Sequence, residues 1–291
     1  MPREIDVSVA DRLIRVRVVG DDSGRPIVFF HGTPSSRLDL RSHERLAENK
    51  GVRLVSFDRP GCGASTPAAF DLLSVARDVE AIVESLGIDK FAVFGQSAGT
   101  RYALATAAVL ADRVSCAGCA SGDFPLEEAP GAVDDLDELD RAAYALLPGD
   151  PVPAAHAFAA SYEPLVQAAH QDSDDAVVSF FESMLCPADL ALLAEPAKRA
   201  NAVANVRESL SQGAAGVGWD LVTWASAWPF DLHDVACPVH LWWGTQDEPL
   251  TAATWLRDHL PDATLVLWLD EGHLAYKRHL HEVFSALTLH D

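Results

Sequence analysis

Apolar and polar residues alternate with a period of two over residues 4–10 and again over 12–19. Successive strand side chains face opposite sides, so this alternation predicts an antiparallel hairpin. Beyond it the pattern changes. Short apolar runs, PIVFF, VRLVSF, FAVFG and VSCAGC, alternate with helical stretches at residues 41–50, 72–86 and 100–110. Strands that are apolar throughout are buried on both faces, which predicts a parallel sheet with helices on both sides, an α/β fold. Strand signals stop near Gly122 and return at PVHLWWG and ATLVLWL, followed by helical stretches at 250–260 and 274–287. The intervening residues 124–230 are dominated by Ala, Leu, Glu and Asp, with breaks expected at Pro148, Pro151, Pro164, Pro187 and Pro196. They predict a helical cap inserted into a core made of residues 1–123 and 231–291.

The insertion follows the fourth parallel strand, and in open α/β sheets ligands bind beyond the carboxyl ends of the strands. Those ends carry the candidate chemistry: FFHGTPSS, FDRPGCGAS, FGQSAG, WWGTQDEP and WLDEGHL. In KFAVFGQSAGTRYALATAA a strand gives way to a helix within five residues. Gly95 and Gly99 let the two pack closely, and Ser97 is left at a strained turn with its hydroxyl above the sheet edge. A serine nucleophile needs a base to take its proton and a carboxylate to orient that base. His273 and Asp247 stand after the last two strands as the matching candidates, with Asp123 in ASGD as the rival acid.

The order Ser97, Asp247, His273, the G-x-S-x-G turn and the His31-Gly32-Thr33-Pro34 loop resemble the α/β-hydrolase family, over nearly the whole chain. The resemblance implies an α/β-hydrolase fold with a mostly parallel central sheet, and a serine hydrolase forming an acyl-enzyme on a small to medium lipophilic ester, lactone, thioester or amide. It implies an oxyanion hole from the backbone N–H groups of Thr33 and Ala98, and no metal or organic cofactor. Related dehalogenases and epoxide hydrolases carry aspartate where Ser97 stands, and the HGGG loop of hormone-sensitive-type lipases and the HGGPG signature of proline iminopeptidases are both missing. The alternative is a member that keeps the triad without hydrolysing, such as a small-molecule receptor, a lyase or a cofactor-free peroxidase-like enzyme. His31 is expected to brace its loop, with substrate contact as a second assignment. Trp219, Trp224 and Trp228 are expected either to anchor the cap or to line the substrate pocket.

Charge narrows the partners. With 43 acidic against 22 basic residues the formal net charge is −21, a field that repels nucleic acid and anionic membranes. A small-molecule substrate is expected, handled by a monomer or homodimer. Five cysteines, an odd number widely spaced, indicate no disulfide framework, and Cys116 and Cys119 are read as core residues despite their C-x-x-C spacing. The first residues alternate charged and apolar side chains and offer no signal-peptide core, so a cytoplasmic setting is expected.

Overall fold

The amino-terminal hairpin forms in full register: β1 (Arg3–Val9) pairs antiparallel with β2 (Arg12–Gly20), from Arg3 opposite Val18 to Val9 opposite Arg12. In the computed structural model, which describes all residues except 1, 129–132, 135, 148, 248–249 and 290–291, six more strands follow. They are β3 (Arg25–Phe30), β4 (Val52–Phe57), β5 (Phe91–Gln96), β6 (Val114–Ala120), β7 (Val239–Gly244) and β8 (Ala263–Trp268). The strand order is β1-β2-β4-β3-β5-β6-β7-β8, antiparallel from β1 to β4 and parallel from there onward. The chain steps to one side of β3 to make β4 and to the other to make β5. Their connections therefore leave in opposite directions and open a crevice beyond the ends of β3 and β5.

Helices cover both faces, as the uninterrupted apolar strands require. Leu72 and Val75 of α2 (Leu72–Ser85), Tyr102 of α3 (Gly99–Val109) and Leu256 of α11 (Thr251–His259) share one apolar cluster with Val28, Val93 and Leu241. Ala47 of α1 (Glu44–Asn49) and Leu280, Val283 and Phe284 of α12 (Tyr276–Leu287) share the other with Ile27, Phe94 and Trp242. Cys119 belongs to the first cluster and Cys116 to the second. Three residues apart on a strand, the two thiols project to opposite faces and cannot grip one ion. Burial pushes the Cys116 thiol up to about 12.

Between β6 and β7 the described residues form α4 (Glu138–Tyr144), α5 (Pro151–Ser161), α6 (Glu163–Ala169), α7 (Asp174–Phe181), α8 (Pro187–Leu193), α9 (Pro196–Ser209) and α10 (Ala215–Ala225). The prolines expected to break helices instead open them. Pro151, Pro187 and Pro196 are first residues and Pro164 is a second residue, where the missing N–H has no intrahelical partner to lose. Pro148 lies outside the described residues. This segment has apolar cores of its own, one around Leu165, Val177, Val203 and Leu210, another around Ala143, Ala155, Phe158 and Val222. No helix among the described residues is long and apolar enough to cross a membrane.

Candidate active site

The turn after β5 has no room for side chains at its two glycines. A Cβ at Gly95 would lie 2.4 Å from the Gly99 carbonyl oxygen, and one at Gly99 only 2.0 Å from that of Phe30. Close approach, not a left-handed backbone, requires these glycines. The left-handed residue is Ser97 itself, with φ of 52°, a conformation costing a non-glycine residue about 1–3 kcal/mol. Its N–H donates to the Ala120 carbonyl at 2.9 Å and its carbonyl accepts from Thr100 N–H at 2.9 Å, so the bend is tied on both sides.

The candidate acid and base are joined by two loops that lie against each other. Thr245 N–H donates to the Trp268 carbonyl at 2.9 Å and Gln246 N–H to that of Glu271 at 2.8 Å. Gly244 allows the contact, because a Cβ there would meet the Glu271 carbonyl at 2.2 Å. Asp247 then accepts from His273 Nδ1 at 3.0 Å and 3.2 Å through its two carboxylate oxygens. Burial works against the His273 imidazolium, but the hydrogen bond and charge of Asp247, reinforced by Asp189 and Asp123, outweigh it and hold the base above its ordinary value. Burial likewise opposes the Asp247 carboxylate, and its bond to His273 wins, leaving its pKa lowered. Asp123 is committed elsewhere: it forms an ion pair with Arg101, and burial raises its pKa against that attraction.

Gln96 carries a signal that sequence reasoning passed over. Its amide nitrogen lies 3.1 Å from His273 Nε2. An amide N–H is a donor, so it meets an unprotonated Nε2, the tautomer in which Nδ1–H donates to Asp247. Nothing in the identity of residue 96 alone indicates contact with His273.

A second unforeseen assembly holds the loop after β3. Arg59, fully buried, donates to the carbonyls of His31 at 2.7 Å and Gly32 at 2.9 Å. It pairs with Asp220 of α10 at 2.7 Å. Asp220 also accepts from Tyr102 Oη at 2.7 Å and from the Thr33 hydroxyl at 2.6 Å. Burial opposes the Asp220 carboxylate, yet the Arg59 guanidinium keeps its pKa lowered. The Thr33 side chain is thus turned toward Asp220. His31 donates from Nδ1 to the Gly32 carbonyl at 2.8 Å, and burial, then the Arg59 charge, drive its pKa down to about 3. It is a neutral brace, and it does not line the cavity.

That cavity measures about 310 Å³. Thr33, Ser97, Asp247 and His273 form its floor, and Tyr162, Phe181, Met184, Leu185, Leu193 and Val206 from the α5–α9 region form much of its wall. Of the two roles expected for the tryptophans, the packing fits anchoring, and none of the three lines the cavity. Trp219 and Trp228 pack on the sheet-side core and Trp224 within the insertion's own core, so all three serve as anchors. The structure thus brings Ser97, Asp247, His273 and Thr33 together on the cavity, places Ala98 beside Ser97 at the start of α3 but not in the cavity lining, and leaves His31, Trp219, Trp224 and Trp228 outside the cavity.

With this geometry described, comparison with known proteins identifies the lineage. The model of the alpha/beta hydrolase fold matches residues 25–280. The chain belongs to the α/β-hydrolase fold family. A proline iminopeptidase from Xanthomonas citri is 37% identical over 94 residues, 31% of this chain and 29% of that relative. The chain therefore matches under a third of that relative's length. Among solved structures, an epoxide hydrolase from Vigna radiata superposes with a TM-score of 0.71 at 16% identity, covering 98% of this chain and 96% of the other. An enol-lactonase from Burkholderia xenovorans LB400 gives 0.64 at 18% identity, covering 97% of each chain. At such identities these two show the α/β-hydrolase fold alone. The local match to a proline iminopeptidase stands beside the missing HGGPG signature, so that peptidase class is nearer in sequence than the signature suggested.

Proposed function

We propose that this α/β-hydrolase cleaves uncharged, lipophilic carboxylic esters of small to medium size through an acyl-enzyme. The observation that carries the proposal is Ser97, presented at φ 52° on the floor of a cavity that also contains the Asp247–His273 pair. Ser97 Oγ attacks the acyl carbon while His273 Nε2 takes its proton, the Gln96 contact giving way to the serine. The backbone N–H groups of Ala98 and Thr33 receive the oxyanion, their dipoles fixed in advance by the start of α3 and by the Arg59–Asp220 brace. His273 passes the proton to the leaving group, and Asp247 stabilises the imidazolium. Water repeats the cycle and releases the acid.

The cavity favours an ester over the amide of an N-terminal amino acid. A free ammonium group needs a carboxylate to receive it. Among the described residues, the carboxylates that line the cavity are already paired, Asp39 with Lys277 and Asp247 with His273. The second candidate class, prolyl amides, rests on the local likeness to proline iminopeptidase. One panel decides between them. p-Nitrophenyl acetate, butyrate and octanoate should give a burst and steady turnover, with fluorophosphonate labelling one serine, while proline p-nitroanilide should be turned over far more slowly. Faster prolyl-amide turnover sinks the ester assignment, and labelling with no turnover of either class points to a non-hydrolytic member.

Residues 124–230 act in this scheme as a cap that selects the acyl chain. Replacing Phe181 or Leu193 by alanine should reorder kcat/KM across that ester series, since a methylene-sized contact is worth about 1–3 kcal/mol of discrimination. Replacing Trp224 by alanine should lower the melting temperature and leave the order unchanged. An ester order unaffected by both wall variants would show that the cap does not select.

A further inference from the structure

The loop that carries the base is held from above by a carboxylate that the chemistry of the triad does not require. Asp189, the third residue of α8, is 3% exposed. Its Oδ2 accepts from the backbone N–H of His273 at 3.0 Å and its Oδ1 from that of Leu274 at 2.7 Å. The Cys186 thiol donates to Oδ2 at 3.2 Å. The fit depends on Gly272, where a Cβ would come within 2.3 Å of both the Asp189 carboxylate and the Cys186 sulfur. A buried carboxylate is costly unless several donors meet it, and here two are main-chain groups of the base's own loop. α8 also places Leu193 in the cavity wall. One short helix therefore touches both the substrate space and the base.

We propose that Asp189 is a positioning residue for His273: carried on a helix of the cavity wall, it fixes the base loop through two backbone hydrogen bonds and adds a second negative charge behind the imidazolium. The proposal rests on His273 being the general base. The groups facing that ring are Asp247 from the loop after β7, Asp123 from the end of β6 with its charge shared with Arg101, the neutral Gln96 amide from β5, and Asp189 from α8. Of the carboxylates, Asp247 holds the ring itself and Asp189 holds the backbone beneath it. Removing the charge of Asp189 makes the imidazolium harder to form. The base is active when neutral, so the acid limb of kcat/KM must move to lower pH. In Asp189→Asn the amide oxygen can keep one backbone bond while the NH2 faces the other donor; the loss of that bond misplaces Nε2, and a displacement near 1 Å costs up to about 10²-fold in rate.

The test uses the full chain and p-nitrophenyl butyrate, with Asp189→Asn and His273→Ala measured beside the wild type. Asp189→Asn should lower kcat more than it changes KM, and its acid limb should lie at lower pH than that of the wild type. A merely structural tie would lower stability without moving the limb, so an unmoved limb overturns the proposal whatever happens to kcat. Turnover retained by His273→Ala would remove the base assignment and this proposal with it, whereas an inactive His273→Ala beside an Asp189→Asn of wild-type profile removes this proposal alone. Should Asp189→Asn not fold, hydrogen exchange of the wild type decides. The His273 and Leu274 amides should exchange slowly, and exchange at the rate of an unstructured peptide overturns the proposal.

Discussion

Ser97→Ala should remove ester turnover by about 10⁶-fold while the protein keeps its wild-type melting temperature or gains slightly on it. The large loss follows from deleting the only atom that forms the acyl bond, after which oxyanion donors and binding alone give a residual acceleration of about 10³–10⁴ over water. The unchanged fold follows from the backbone: the two hydrogen bonds that tie the bend use the N–H and carbonyl of residue 97, not its side chain. The measurement is steady-state hydrolysis of p-nitrophenyl butyrate beside fluorophosphonate labelling and thermal unfolding. Turnover above a thousandth of wild type in a folded, unlabelled Ser97→Ala would mean that another group attacks the ester.

Asp247→Asn should lower kcat by about 10⁴-fold, close to 5.5 kcal/mol of activation free energy. The amide can donate where the carboxylate only accepts, so His273 is free to take the tautomer whose Nε2 is protonated and cannot act as base. Asp123→Asn should reduce kcat far less. Asp123 is paired with Arg101, and its effect on His273 is through charge alone. The ranking of the two variants in the same assay is the test. A more damaging Asp123→Asn would place the working acid after β6.

Most of the framework could be read in the chain because it depends on local rules. Each expected strand lies within a residue or two of an observed one, since both-face burial leaves an apolar run that little else produces. Ser97, Asp247 and His273 were legible because each stands in a loop directly after a strand, where strand direction alone sets the sheet edge. What escaped was long-range. Arg59 meets Asp220 across 161 residues, and Asp189 meets the His273 loop across 84. Asp220 and Asp189 lie on inserted helices far along the chain from the groups they meet, and no periodicity marks either contact. The tryptophans stayed open between two roles for the same reason: size and apolarity favour burial, and burial at an anchor looks the same in sequence as burial in a pocket wall. Trp219 and Trp224, both in α10, turn to anchoring clusters, while smaller apolar residues such as Leu193 and Val206 face the cavity.

The Arg59–Asp220 pair makes the two ends of the inserted segment unequal as splice points. A foreign lid joined after Gly213 would keep α10, and with it the counter-ion that lets Arg59 sit buried beneath the His31 and Gly32 carbonyls. A lid that also replaced α10 would strand that guanidinium, and an uncompensated buried charge costs about 3–5 kcal/mol. However well the new helices folded among themselves, such a chimera would carry its defect in the His31–Thr33 loop proposed to receive the oxyanion. For anyone exchanging lids among these enzymes, α10 belongs with the chassis, and Arg59 and Asp220 are to be moved together or left together.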